Sequence, residues 1–295
     1  MPGFVIDPTG LAQRQSSHFM GSATIHLLFV VLAPGTLSPI SASLGTATPL
    51  DQGFRQMYNL EFKEAHGTFQ TYAQAHPNDP MGATADAAAY LFDECDRLGV
   101  LQSELFVDNE SFKGREKPSA DPAARERFNG AIARSQQLAD GVMRNSPHDR
   151  NALFATVLNL GLESDYLALV ERHDLASLSY TKRAGRAAEK LLSVDPACYD
   201  AYLAVGVENY ILGLNPAPVR WILRLYGAET DKETGIQKLQ LTAAKGHYLL
   251  PFARLLLAVA ALRDNDRSQA RELLQNLSQE FPNNRLYKRE LSRLQ

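Results

Sequence analysis

The sequence predicts an all-α protein built as an irregular solenoid of helical hairpins. Three observations predict it: apolar residues recur at helical spacing, small residues recur on the facing sides of paired helices, and a proline closes each of four candidate units. Hydrophobic residues make up 45% of the 295 residues and charged residues 21%, the composition of an ordinary globular protein. No segment has the pattern of a β-strand.

The clearest unit runs from Pro251 to Asn284. Two antiparallel helices approach closely only where a side chain is small, and Ala258 and Ala270 fall at that position on the two predicted helices. We therefore expect both alanines to be buried at one helix–helix contact. Pro282 has no N–H to donate and ends the second helix.

The same pattern of small and apolar residues precedes three other prolines. The sets are Ala65, Phe69 and Tyr72 before Pro77; Ser135, Ala139 and Val142 before Pro147; and Ala184, Ala188 and Leu191 before Pro196. A generic amphipathic hairpin would explain any one of them, but four in register favour a repeat. Over most of residues 51–295 the spacing resembles the tetratricopeptide repeat (TPR) of about 34 residues. The resemblance implies a helical scaffold and brings no catalytic residues with it.

A narrower resemblance covers residues 199–245. Their layout is similar to the eukaryotic outer-mitochondrial-membrane TPR proteins of the inclusion-body-clearance type. The matching positions are Asn209, Pro216, Gly227, Asp231, Gly235 and Leu239. This resemblance again implies a helical scaffold.

The remaining helices follow from caps and periodicity. We expect short helices over Asp51–Asn59 and Phe62–Ala75, and a helix that begins at Pro122 with Asp121 as its cap. A long helix is expected over Asn151–Val170, with Leu153, Val157, Leu160 and Leu167 facing inward. Another is expected over Lys232–Ala244, capped by Asp231, and residues 215–230 form an insertion before it.

The N-terminal segment has the order of a secretory signal. The apolar run Leu27–Ala33 is too short to cross a bilayer core of about 30 Å, and Pro34 and the small residues Ser41–Ser43 follow it. We expect residues 1–43 to be a signal peptide or apolar segment, with no stable membrane span once it is removed. The protein would then be exported to the periplasm or cell envelope, and the mature chain would begin between Ser43 and Thr48.

Two alternatives to export stay open. The apolar run could be a buried or membrane-resident helix. The protein could also be a cytoplasmic TPR protein whose start is wrongly assigned, for example if the true start is Met20.

Bulk properties argue against several kinds of site. A net charge of −3 gives no basis for nucleic-acid binding. Cys95 and Cys198 could pair or stay free, and two cysteines cannot build a thiolate zinc site. We find no glycine-rich phosphate loop, and the scattered histidines suit surface or capping roles. We expect no cofactor and no metal.

Two sets of acidic residues could support chemistry. The run Asp93–Asp96 could attract a cation, but a solvated helix face is the favoured interpretation. Glu163 and Glu208 could face each other as paired carboxylates, although nothing in the sequence fixes their positions.

The predicted function is a non-catalytic scaffold for a protein or peptide partner. First helices of superhelical repeats line the concave face, so the predicted binding residues are Tyr202, Asn209 and Tyr210, with Arg224 from the insertion beside them. Packing between units is the competing role for Tyr202. The alternative function is a helical enzyme with its site near residues 215–230.

Overall fold

The protein is all-α, as predicted. The computed structural model describes residues 48–100, 119–214 and 231–294, and 82% of them are helical, with no strand among them. The α-helices are α1 (Pro49–Tyr58), α2 (Phe62–Ala75), α3 (Pro80–Arg97), α4 (Pro122–Asn145), α5 (Arg150–Asp165), α6 (Asp174–Val194), α7 (Tyr202–Gly213), α8 (Lys232–Lys245), α9 (Leu250–Arg263), α10 (Arg267–Glu280) and α11 (Arg285–Arg293). A π-helical segment, Tyr166–Glu171, follows α5, and a 3₁₀ turn, Tyr199–Ala201, precedes α7.

Side-chain caps set the starts of several helices. Asp121 accepts a hydrogen bond from the Ala123 N–H at 3.0 Å, and Asp231 accepts one from the Glu233 N–H at 3.2 Å. Each cap satisfies a donor that has no partner within the helix. Both predicted caps are confirmed.

The small residues at the repeated positions form helix–helix contacts. Ala258 is 1% exposed and Ala270 is fully buried, and their helices, α9 and α10, pack on each other. The burial predicted for this pair is confirmed. Ala65, Ser135 and Ala184 hold the equivalent position in α2, α4 and α6, and all three are also buried.

The long helix expected over Asn151–Val170 is interrupted. It changes from α to π geometry after Asp165, and a π segment alters the number of residues per turn, so positions spaced for an α-helix lose their common face. Leu167 lies in this segment and is only half-buried, and Leu160, within α5, is half-buried too. Asn159 is buried instead, where it donates to the Ser135 hydroxyl at 2.8 Å.

The same region is apolar enough to be tested as a membrane span. Among the described helices, the segment Arg150–Glu171 alone has the length and composition to cross a bilayer. Because 56% of its most apolar stretch is buried inside the protein, it matches the core helix of a soluble fold equally well, and the indication of a span is weak.

The end of the first helix lies against the turn between the last two helices of the described chain. Asn284 donates to the Tyr58 carbonyl at 2.8 Å, the Asn283 N–H donates to Asn59 at 3.1 Å, and the rings of Tyr58 and Phe281 are 5.4 Å apart. The turn after α1 is thus joined to the turn after α10. The hairpins close on themselves instead of leaving the α1 end uncovered.

The loop before α9 joins three distant parts of the chain. Asp200 is buried and accepts hydrogen bonds from the N–H groups of His247, Tyr248 and Leu249 at 2.8–3.1 Å. The Tyr248 ring stacks on Phe54 of α1 at 4.6 Å. This carboxylate fixes the loop that leads into α9, whose first residue is preceded by Leu249, a residue with no polar side chain to cap the helix.

Candidate binding cleft

A cleft of about 610 Å³ lies between α2, α3 and the start of α4. We call it the α2–α4 cleft. Its lining residues are Leu60, Glu61, Phe62, Lys63, Glu64, His66, Tyr90, Asp93, Glu94, Arg97, Asp121, Ala124 and Arg127. The volume is that of a site for a small molecule or for a few side chains of a partner.

One face of α3 supplies much of the cleft's chemistry. Asp86, Tyr90 and Asp93 are four and three residues apart, which places them on one side of a helix. Tyr90 and Asp93 line the cleft, and Asp86 bonds to His66 of α2, which also lines it. The site therefore depends on the packing of two helices and not on one segment.

His66 is held between α2 and α3. Its Nδ1 lies 2.5 Å from Asp86 Oδ1, and its ring lies 4.0 Å from the Tyr90 ring. A carboxylate can only accept a hydrogen bond, so Nδ1 carries the proton that is shared with Asp86. Nε2 is covered and has no hydrogen-bond partner among the described residues. The general expectation of a surface or capping histidine is wrong for His66, which lies within α2 and is mostly buried.

Asp93 and Glu64 are the exposed carboxylates of the cleft. Burial of its carboxyl raises the pKa of Asp93, an effect that nearby His66 and Arg127 oppose and that Asp96 and Glu94 reinforce. Neither Asp93 nor Glu64 forms a hydrogen bond or ion pair through its side chain within the described chain. Both are available to a ligand.

The arginines of the cleft are engaged with acids. Arg97 donates twice to Glu94, at 2.6 and 2.7 Å, and once to the Ser119 carbonyl at 2.9 Å. Arg127 lies 3.9 Å from Asp121 and over the Tyr90 ring. These pairs remove most of the positive charge that the cleft would otherwise present.

The run Asp93–Asp96 is not the solvated face that we expected. Glu94 is 3% exposed and Cys95 is 1% exposed. Burial of Glu94 is offset by its bidentate pairing with Arg97 and by the Asp121 N–H, which donates to it at 2.8 Å. Glu94 thereby ties the end of α3 to the start of α4.

The balance of charge leaves the cleft acidic. Asp93 and Glu64 form no ion pair within the described chain, although Arg127 is close enough to lower the pKa of Asp93, and Glu61 accepts a hydrogen bond from the neutral amide of Asn283. Of the lysines and arginines on the described walls, Lys63 alone has no ion-pair partner. Such a site favours a ligand that carries positive charge.

The polar side chains that line the cleft are carboxylates, basic groups, one histidine and one tyrosine. The described lining residues include no serine, threonine or cysteine that could act as a nucleophile. Over the described part of the chain no group of three or more histidine, cysteine or acidic side chains could hold a metal ion. Both cysteines are free, and burial raises the pKa of Cys95 well above its usual value and that of Cys198 to about 11.

The predicted binding residues lie elsewhere, on α7. Tyr202 is half-buried, with its hydroxyl 3.3 Å from the Pro196 carbonyl and Lys238 of α8 over its ring. Asn209 is 2% exposed and donates to the Val205 carbonyl at 3.0 Å.

The other two predicted binding residues are Tyr210 and Arg224. The Tyr210 hydroxyl is covered and has no hydrogen-bond partner among the described residues, and burial raises its pKa. Arg224 and the insertion 215–230 lie outside the described residues. The structure therefore brings Tyr202, Asn209 and Tyr210 together on one helix, and their role in binding stays a prediction.

The suggested pairing of Glu163 with Glu208 does not appear among the described interactions of Glu163. Burial raises the pKa of Glu163, while Arg183 lowers it and Glu171 raises it. Glu208 packs over Gly185 of α6, where a β-carbon would collide with its carboxylate.

No family model matches the chain, and no curated protein matches it either. The α2–α4 cleft is thus defined by the residues of this chain alone. Its main components, His66, Asp86 and Asp93, were not among the predicted site residues. The spacing of Asp86, Tyr90 and Asp93 along α3 was the signal that could have pointed to them.

Proposed function

We propose that this chain is a non-catalytic, TPR-like scaffold that binds a segment of a partner protein in the α2–α4 cleft. The observation on which this rests is a cleft walled by three helices, with two exposed carboxylates, Glu64 and Asp93, that have no partner within the described chain. Burying charged groups without partners costs free energy, so a ligand that fills this cleft must supply complementary donors.

The TPR-like part of the proposal is supported by the helical pairs. Small residues are buried at the equivalent position in four helices, and each of these helices packs on its neighbour in sequence. Closure of the first hairpin onto the last would make this an irregular member of the TPR class. Its binding surface would then be a cleft between helices and not an extended open groove.

Export of the protein is part of the same proposal. It rests on the signal-like order of residues 1–43, which lie outside the described residues. N-terminal sequencing of the native protein tests it: we expect a start between Ser43 and Thr48, and an intact cytosolic chain would overturn it.

Affinity capture with matched variants tests the scaffold. Wild type is compared with the double variant Glu64→Arg and Asp93→Arg, which reverses the charge of the cleft. The control is Glu189→Arg with Glu272→Arg, which makes the same change at exposed sites on α6 and α10. Circular dichroism checks that every variant is folded.

We expect a discrete partner to be retained by wild type and the control and lost by the cleft variant. Equal capture by all three folded proteins, or no specific capture by any, would overturn the proposal.

A further inference from the structure

The unpaired charges of the α2–α4 cleft indicate the chemistry of its ligand. Asp93 and Glu64 are exposed hydrogen-bond acceptors, and the cleft's two arginines are already paired with acids. A ligand carboxylate or phosphate would face repulsion here, whereas an ammonium or guanidinium group would find acceptors that need donors. The Tyr90 ring at the wall offers apolar surface for the stem of a long basic side chain.

His66 adds a second, independent indication. Its Nε2 is covered and has no hydrogen-bond partner among the described residues, and the Asp93 carboxylate interacts electrostatically with the same imidazole. A carboxylate beside an imidazole is stabilised by a positive charge between or beside the two groups. That charge can be a proton on His66 or a cation of the ligand.

Three helices place charged residues near His66. Lys63 is one turn away on α2 itself, α3 contributes Asp86 and Asp93, and Arg127 of α4 lies over the neighbouring Tyr90 ring. The charged residues of helix α1 bond to groups outside the cleft.

The two charged residues of α1 have partners away from the cleft. Asp51 bonds to Thr48 and His247, and Arg55 donates to the Glu280 carbonyl at 3.2 Å. Helix α1 therefore adds no unpaired charge to the surroundings of His66.

We propose that the α2–α4 cleft binds a lysine- or arginine-containing segment of the partner through Asp93 and Glu64, and that protonation of His66 weakens this binding. The inference rests on the proposed function and names the chemistry of its partner. A proton on His66 and a cation in the cleft compete for the same carboxylates. By linkage, each lowers the affinity for the other by the same factor.

The probe is a short, terminally blocked peptide of alternating lysine and glycine, titrated calorimetrically at low salt. Two matched peptides replace lysine by Nε-acetyl-lysine or by glutamate. We expect binding of the lysine peptide alone, weakened by added salt because the contacts are partly exposed. Equal binding of the acetyl-lysine peptide, or no binding of the lysine peptide, would overturn the proposal.

The variants separate the cleft from general attraction to an acidic protein. Asp93→Asn should weaken binding roughly tenfold, the usual loss for one charge-assisted hydrogen bond. Glu189→Gln on α6 removes one exposed charge outside the cleft and should leave binding unchanged. The same loss in both folded variants would show that only net charge matters, and the proposal would fail.

Protonation of His66 is tested by repeating the titration at about pH 8 and about pH 5.5. Wild type should bind several-fold more weakly at the lower pH, and His66→Gln should lose most of this difference because it cannot take up a proton. A pH dependence that survives in folded His66→Gln would overturn the role of His66.

A direct measurement on wild type covers the possibility that His66→Gln does not fold. The imidazole C–H resonances of His66 are followed by NMR against pH, with and without the lysine peptide. Saturating peptide should lower the titration midpoint, and an unchanged midpoint would contradict the linkage.

This outcome is separable from that of the capture experiment. A partner that depends on the cleft, together with no binding of the lysine peptide, would refute the basic ligand and leave the scaffold intact. Failure of both experiments would refute both.

Discussion

At the scale of single residues, Asp165 has a carboxyl group whose surroundings disfavour its charged form. It is the last residue of α5, immediately before the π-helical segment. Part of the residue is accessible, but protein surrounds its carboxyl, and this burial raises its pKa to about 7. No hydrogen bond or ion pair from the described chain compensates for the charge, so an ionised Asp165 opposes folding.

The sign of the pH dependence follows from that shift. The folded state holds the Asp165 proton more tightly than the unfolded state, whose carboxyl has the ordinary pKa of 3.8. This group therefore favours folding most below pH 3.8, and its contribution is lost as pH rises toward about 7.

Asp165→Asn should accordingly raise the free energy of unfolding at about pH 8 by a few kcal/mol at most, with little effect near pH 4. Urea unfolding of wild type and variant across this range is the measurement, with Asp174→Asn at an exposed position as control. A difference between Asp165→Asn and wild type that does not grow with pH would contradict the assignment.

At the scale of helices, α7 and α8 approach through glycine. A β-carbon at Gly235 would lie 2.6 Å from the Tyr210 nitrogen and 2.9 Å from the Gly206 carbonyl oxygen, both of them backbone atoms. Neither can move without shifting a helix. By contrast, a β-carbon at Gly130 on the exposed side of α4 would meet nothing within 4 Å.

The same substitution should therefore have opposite effects at the two sites. Gly130→Ala should stabilise the protein by about 0.5–1 kcal/mol, because alanine is the better helix former. Gly235→Ala should destabilise it by about 1–3 kcal/mol through overpacking. Thermal unfolding of both variants tests the pair, and stabilisation by Gly235→Ala would mean that α7 and α8 are not in close contact.

These two scales differ in how far the sequence predicts them. The burial of Ala258 and Ala270 could be predicted because helical periodicity and small size determine which face can approach a neighbour. His66 and Asp86 meet although they are 20 residues apart on separate helices. Periodicity shows which face of a helix is buried, but it does not show which other helix packs on that face. The cleft depends on how α2, α3 and α4 pack on one another.

Asn209 shows the opposite limitation. Its polar side chain suggested an exposed contact, but the amide satisfies a backbone carbonyl within its own helix and is buried. A polar side chain can be buried if it donates to a carbonyl one turn earlier in the same helix. Its polarity alone therefore does not predict its exposure.

At the scale of the whole molecule, Asn284 is the central link between the two ends of the described chain. It is 3% exposed, donates to the Tyr58 carbonyl and accepts from the Leu286 N–H at 2.9 Å. One side chain therefore caps α11 and holds the turn after α1.

Asn284→Ala should destabilise the protein by about 2 kcal/mol, since it leaves buried backbone groups without partners. Its distinctive effect should be faster amide hydrogen exchange in α1 as well as in α11. Asn151→Ala, which removes an exposed hydrogen bond to Asp79, is the control. Faster exchange confined to α11 would show that α1 does not depend on this contact.

The contact between the turn after α1 and Asn284 also determines when the protein can fold. Its two partners are 226 residues apart in sequence, so α1 emerges from the ribosome long before the helices that cover it are synthesised. Contacts of such high sequence separation slow folding and leave apolar surface exposed in the meantime. Phe54 can pack early on Phe69 of α2, but Tyr248 and Phe281, whose rings pack on Phe54 and Tyr58, are synthesised much later. This contact can form only after Asn284 has left the ribosome, and until then the hairpin of α1 and α2 lacks one of its supports.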